Sequence, residues 1–168
     1  MGGTDAMPTR ILAFAGSSRR ESLNRGFLAF GVESARELGC EVTLLDLNEY
    51  VLPLYNGDLE DRDGLPENAA KLIGLIAGHD GLLIASPEYN SMITPLLKNT
   101  LDWVSRVHEP GEQPRAAFRD RVFALGAASN GNGRETVRLG DGHGSQRQHV
   151  GVLGGHPGVQ PGANAQQH

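Results

Sequence analysis

Ile11-Leu12-Ala13-Phe14-Ala15-Gly16-Ser17-Ser18-Arg19-Arg20-Glu21-Ser22-Leu23-Asn24 joins an unbroken apolar run to the start of an amphipathic helical pattern through a short loop of Gly, Ser and Arg. A buried strand followed by such a loop and a helix is where an α/β protein holds an anion. The amides of a helix start point at the ligand there, and the helix dipole favours negative charge. Ser17, Ser18 and Ser22 offer hydroxyls, Asn24 an amide, and Arg19 or Arg20 charge-assisted bonds to a phosphate. The same residues also serve plain turn and capping chemistry, which is the competing reading at this point.

Three further apolar runs follow, Val42 to Leu47, Gly81 to Ala85 and Val122 to Leu125, with helical patterns between successive members in the first half of the chain. Alternation of this kind predicts a parallel sheet. Leu23, Phe27, Phe30, Ala35 and Leu38 recur at three-to-four spacing, as do Ala69, Leu72, Ile73, Ile76 and Ala77 after Pro66. Each set predicts a helix with one face on the sheet. Thr94 as cap and Pro95 at the first helical position open a third helix, with Leu97, Leu101 and Val104 on its inner face. The polar connection from Asn48 to Leu65 contains Pro53, Leu54, Tyr55, Asn56 and the acidic stretch Asp58 to Asp63. It reads as a lid, a subunit contact or a wandering loop.

With 168 residues, 39% of them hydrophobic, the chain is most simply one domain, and a second catalytic domain would not fit. The net charge of -5 and the lack of a basic stripe with interleaved aromatics argue against nucleic acid as a partner. A small anionic ligand needs only a local positive site. The first residues lack a basic start and an apolar stretch, no later segment is long enough to cross a bilayer, and Ala6 stands where a myristoylation signal wants Ser or Thr. We therefore expect a cytoplasmic protein with no membrane partner.

The single cysteine, Cys40, excludes disulfides and cysteine metal sites and reads as a small core residue. His143, His149, His156 and His168 fit no helix face or finger spacing, so no metal is expected. His79 and His108 adjoin predicted helix ends, where a favourable dipole contact accounts for them.

A second constellation, Ser86-Pro87-Glu88-Tyr89-Asn90-Ser91, follows the third strand and precedes the capped third helix. In an open parallel sheet whose order reverses between the first and third strands, this loop and the loop at Gly16 to Asn24 face one crevice. Pro87 stiffens the turn, Tyr89 offers a planar ring, and Asn90 offers donors and acceptors suited to a heteroaromatic system. A phosphate at one loop and a flat ring at the next describe a mononucleotide.

With these motifs in place, the chain resembles the NADPH-dependent FMN reductase family of flavodoxin-like proteins, which includes quinone, azo-dye and chromate reductases. The matching text is Gly16-Ser17-x-Arg19-x-x-Ser22-x-Asn24 and Pro87-Glu88-Tyr89-Asn90-Ser91, continuing through Leu97-Lys98-Asn99-x-Leu101-Asp102-Trp103-x-Ser105-Arg106. It covers roughly Arg10 to Gly131.

The resemblance implies that Ser17, Arg19, Ser22, Leu23 and Asn24 hold the FMN phosphate and that Pro87, Glu88, Tyr89 and Asn90 line the isoalloxazine. Ser129, Asn130 and Gly131 would touch the ring from the other side. It also implies a homodimer or homotetramer, with Lys98, Asp102, Trp103 and Arg106 as contact residues; Asp102 and Arg106 are in addition a favourable helical ion pair. The implied chemistry belongs to the flavin, which takes hydride from NAD(P)H and passes two electrons to a small acceptor such as a quinone. No catalytic side chain is required, and Glu88 is the carboxylate in these loops singled out for attention. NAD(P)H would bind transiently over the flavin, because Gly16 to Asn24 lacks the triple-glycine spacing of a dinucleotide site.

After Leu125 the sequence changes character. Phe123 is the last aromatic, Ile93 the last isoleucine, and from Gly126 roughly a quarter of residues are glycine. Leu139, Val150, Val152, Leu153 and Val159 are too scattered for an amphipathic helix, and Pro157 and Pro161 would break one. The expected organisation is a flexible start (1–9), a flavodoxin-like doubly wound FMN-binding domain (10–131) without the family's final strand and helix, and a disordered Gly-rich tail (132–168). A reading-frame change shortly after Asn130 would account for the break. The alternatives to a reductase are a flavodoxin-style electron carrier and a nonfunctional truncated remnant.

Overall fold

Leu12, Ala13, Phe14 and Ala15 are all buried because their strand, β1 (Arg10–Ala15), runs through the middle of a four-stranded parallel sheet with helices on both faces. In the computed structural model, which describes residues 7–106, 118 and 121–128, the strand order is β2-β1-β3-β6, with β2 at Glu41–Leu45, β3 at Gly81–Ala85 and β6 at Val122–Gly126. Central strands covered on both faces read as continuous apolar runs, whereas the outer strand β2 buries only Leu45 fully. The register places Ala13 beside Leu83 and Leu83 beside Ala124.

Successive side chains on each strand point to opposite faces and build two cores. Leu12, Phe14, Leu82 and Ile84 pack with Leu72 and Ile76 of α3 (Glu67–Ala77) and Leu97 and Val104 of α4 (Pro95–Val104). Each of these buried apolar side chains contributes about 2 kcal/mol of transfer free energy. Ala13, Ala15 and Ala85 face Leu28 and Val32 of α1 (Leu23–Glu37). A Cβ at Gly126 would overlap the Phe27 ring of α1, so any larger residue there forces that ring to move.

The helices form where expected, but α1 is rotated from its predicted register. It buries Asn24, Leu28 and Val32, while Phe30 is 68% and Leu38 84% exposed. The pattern misled because the buried stripe includes an asparagine, and two large apolar residues lie outside it. Strand β2 stops at Leu45 rather than Leu47, since Asp46 accepts from the Asn48 amide at 3.0 Å and starts a single 3-10 turn, Leu47–Glu49. Cys40 is half-buried rather than part of the core.

The connection from Asn48 to Leu65 is no wandering loop. Asn56 caps a short helix, α2 (Gly57–Asp63), by accepting from the Asp58 amide at 2.9 Å. The segment before it is fastened to α4. Asn99 accepts from the Tyr55 amide at 2.8 Å and donates to the Pro53 carbonyl at 2.9 Å, and the Trp103 indole donates to the same carbonyl at 2.7 Å. Trp103 is fully buried within the chain, edge-on to Tyr55, so it cannot serve as a subunit contact.

The predicted Asp102–Arg106 pair does not form either. Asp102 takes Lys98 one turn earlier at 2.6 Å, and Arg106 reaches Glu60 of α2 at 3.0 Å.

His79 does more than face a dipole: Nδ1 donates to the Leu75 carbonyl at 2.6 Å, and Nε2 meets Thr43 Oγ1 at 2.8 Å. Arg121 completes the cap, donating to the carbonyls of Ile76, Ala77 and His79 at 2.8–3.0 Å. His108, the Gly-rich tail and the expected lack of the family's final strand and helix lie outside the described residues.

Candidate functional site

The order β2-β1-β3 places a reversal between β1 and β3, so the loops after these two strands diverge and leave a crevice at their carboxyl ends. Gly16 opens the first loop, and its amide donates to the Ala85 carbonyl at 2.8 Å. A Cβ on Gly16 would lie 2.7 Å from Ser86 Oγ and 3.1 Å from Leu97 Cβ, so glycine lets the two loops approach. The Ser86 amide in turn donates to the Gly126 carbonyl at 2.9 Å, bringing the end of β6 to the same place.

Ser17 is 4% exposed, and its hydroxyl lies 3.4 Å from the Arg19 amide. Ser22 caps α1, accepting from the Asn24 amide at 3.2 Å, and Leu23 is the first helical residue. Ser18, Arg19 and Arg20 are exposed, and none of the ion pairs among the described residues engages either arginine. Two free guanidinium groups beside a helix start make this corner positive in an otherwise acidic chain.

Asn24 is already engaged within the chain. It is 2% exposed, its Nδ2 donates to the Ala128 carbonyl at 2.8 Å, and its Oδ1 accepts from the Ala128 amide at 2.9 Å.

The second constellation is a hairpin, which the sequence reading missed. Strands β4 (Glu88–Tyr89) and β5 (Met92–Ile93) pair antiparallel around Asn90 and Ser91, whose φ values are 53° and 63°. Positive φ at both central residues is the two-residue hairpin turn that matches strand twist, and asparagine tolerates it best after glycine. Pro87 is half-buried, and Glu88, Tyr89 and Asn90 are exposed at the crevice. Thr94 ends the hairpin as the cap of α4: its Oγ1 accepts from the Leu97 amide at 3.2 Å and donates to the Gly16 carbonyl at 2.6 Å. The structure thus brings the Gly16 and Ser86 loops together through Thr94, and the end of β6 to them through Asn24. Ser129, Asn130 and Gly131 lie outside the described residues.

Beside the first loop, on the β2 side, Arg25 and Asp46 pair at 2.9 Å across a cleft of about 110 Å³ also lined by Ala15, Leu28, Ala29 and Leu44. Partial burial pushes the Asp46 carboxyl up, but the Asn48 amide and the Arg25 guanidinium outweigh it and hold the group below the usual carboxylate range. Nothing in the sequence pattern marked this pair, because its members lie on different elements. Among the described residues no cluster of His, Cys, Asp and Glu could hold a metal.

Comparison with known proteins agrees with this geometry. A family model described as NADPH-dependent FMN reductase matches residues 9–167, a longer span than the Arg10 to Gly131 carried by the motifs. A probable NADPH:quinone oxidoreductase of Oryza sativa subsp. japonica is 36% identical over 134 residues, covering 79% of this chain and 62% of the relative. A 2-hydroxy-1,4-benzoquinone reductase of a Burkholderia species is 37% identical over 125 residues, covering 73% and 66%.

Among solved structures, FerB, a flavoenzyme NAD(P)H:(acceptor) oxidoreductase from Paracoccus denitrificans, superposes with a TM-score of 0.59 at 27% identity. That likeness covers 74% of this chain and 63% of the other. The chain therefore spans about three fifths of the length of the first curated relatives it matches.

Proposed function

Since the chain belongs to the NADPH-dependent FMN reductase family, we propose that it is an FMN-dependent oxidoreductase that takes two electrons from NAD(P)H and delivers them to a small acceptor such as a quinone. The observation that carries this reading is the junction of the two loops. Thr94 Oγ1 donates to the Gly16 carbonyl at 2.6 Å, which holds a positive helix start and a hairpin bearing an exposed tyrosine at one crevice.

The residues present fit FMN. The Ser17 to Leu23 corner has two arginines with no carboxylate partner among the described residues, as a phosphate requires. The next loop presents the Tyr89 ring, 48% exposed, for a flat heterocycle. Bound FMN would supply the hydride and two-electron chemistry. Ser17, Arg19, Ser22 and Leu23 hold the phosphate, and Pro87, Glu88, Tyr89 and Asn90 line the ring, with Ser129 and Gly131 completing its far side. Glu88 is exposed on the hairpin, where it orients the loop; no side chain is asked to act as acid or base.

Names of the relatives support a quinone as acceptor. No helix among the described residues is long and apolar enough to cross a membrane. We place the protein in the cytoplasm as a homodimer or homotetramer, checked by cell fractionation and size-exclusion chromatography with light scattering. The functional test is the visible spectrum of the purified full chain, followed by NAD(P)H oxidation with benzoquinone. A yellow protein that turns over supports the reductase, a yellow protein without turnover is an electron carrier, and a colourless one that takes up no added FMN refutes the reading.

A further inference from the structure

The side chain of Asn24 behaves like a piece of backbone. Its Nδ2 donates to the Ala128 carbonyl at 2.8 Å while its Oδ1 accepts from the Ala128 amide at 2.9 Å, a reciprocal pair of the kind two strands exchange. Ala128 follows β6 and immediately precedes Ser129, the first residue of the loop assigned to the far side of the flavin ring. Asn24 itself lies in the first turn of α1, two residues past the capping Ser22.

An asparagine amide has two donor hydrogens and one acceptor oxygen. One hydrogen and the oxygen are spent on Ala128, in a position 2% exposed to solvent, so water does not compete for these bonds. Breaking them leaves the Ala128 amide and carbonyl without their partner, a cost that fixes the side chain in this orientation.

We infer that Asn24 is a positioning residue rather than a phosphate ligand. It locks Ala128, just past the end of β6, to the start of α1, so that the phosphate corner and the carboxyl end of β6 keep one fixed separation. This rests on the FMN reading above and assigns Asn24 to the ring end of that site. Thr94 performs the matching task for the hairpin, and together the two buried side chains tie the loops after β1, β3 and β6 into one frame.

The test compares FMN with riboflavin, which has the same ring and no phosphate. Affinities of both are measured for the apo full chain and for Asn24→Ala by quenching of flavin fluorescence. A positioning role predicts that both ligands weaken by the same factor, about tenfold, with their affinity ratio unchanged. It also predicts faster amide hydrogen exchange at residues 122–128 of the apo variant, a readout that needs no flavin.

Should Asn24→Ala fail to fold, Asn24→Asp keeps the acceptor for the Ala128 amide and favours the helix start. Its charge would act on a phosphate, so it is read with riboflavin alone and should weaken it. Loss confined to FMN would make Asn24 a phosphate ligand and overturn the inference while leaving the functional reading intact. Unchanged affinity for both would overturn it too. An unsubstituted chain that binds neither flavin would refute the functional reading and the inference with it.

Discussion

Replacing Thr94 by valine keeps the β-branched shape and removes one oxygen that makes two bonds, to the Gly16 carbonyl at 2.6 Å and from the Leu97 amide at 3.2 Å. Thr94 is 2% exposed, so water cannot substitute for it. Loss of a helix cap costs about 1 kcal/mol. Leaving the buried Gly16 carbonyl without its partner adds about 1–3 kcal/mol, for a total of about 2–4 kcal/mol. In a chain of this length that lowers Tm by about 4–16 °C.

Urea unfolding of the apo chain measures the difference directly, and Thr94→Ser, which keeps both bonds, is expected to cost less than about 1 kcal/mol. Because the same oxygen joins the two loops, the valine variant should also bind FMN more weakly than the serine variant. A valine variant within about 0.5 kcal/mol of the native chain would refute the argument. It would mean that the Gly16 carbonyl and Leu97 amide find other partners at no cost.

Gly16→Ala drives a Cβ to 2.7 Å from Ser86 Oγ and is expected to destabilise by about 1–3 kcal/mol in thermal unfolding; adding Ser86→Gly should recover most of that loss, and no recovery would locate the clash elsewhere. Asn99→Ala removes both bonds that fasten Pro53 and Tyr55 to α4. Hydrogen exchange over residues 50–63 should then accelerate selectively, whereas uniform acceleration would point to global destabilisation.

The folded-state pKa of Asp46 lies below its ordinary 3.8. Its contribution to stability is therefore fully present above the unfolded value and lost as pH falls through the folded one. Asp46→Asn should flatten the stability profile below about pH 4 in acid titrations followed by circular dichroism. A profile parallel to the native one there would show that the Arg25 pair carries no acid dependence.

The parts of this molecule that were legible in the sequence share one property: their signal is local. Ile11 to Ala15 reads as a buried strand because both of its faces are covered, and Thr94-Pro95 reads as a helix start because the cap and the first turn are adjacent in the chain. The Gly16 loop was legible on the same grounds. The hairpin at Glu88 to Ile93 was not, because strands of two residues carry no periodicity and the turn lacks the glycine that usually announces it. Helix α2 escaped for a related reason: seven residues, GDLEDRD, hold one apolar side chain, so capping by Asn56 rather than a buried face starts it.

Asn24 shows why site residues are harder to assign than site loops. The sequence places an amide in the first turn of a helix beside three hydroxyls and two arginines, and in that company it reads as one more phosphate ligand. Its actual partner is 104 residues away. A polar side chain at a helix start has two ways to be satisfied, by a ligand or by another loop, and residue type favours neither. Burial separates them: Arg19 and Arg20 are exposed and without an ion-pair partner among the described residues, while Asn24 is enclosed with donor and acceptor both engaged. A ligand can recruit groups that are free at the surface, whereas the oxygen and one amide hydrogen of Asn24 are already committed in the interior. In this crevice the exposed Arg19 and Arg20 are the groups left free to meet an anion, while the amide of Asn24 already joins the start of α1 to the end of β6.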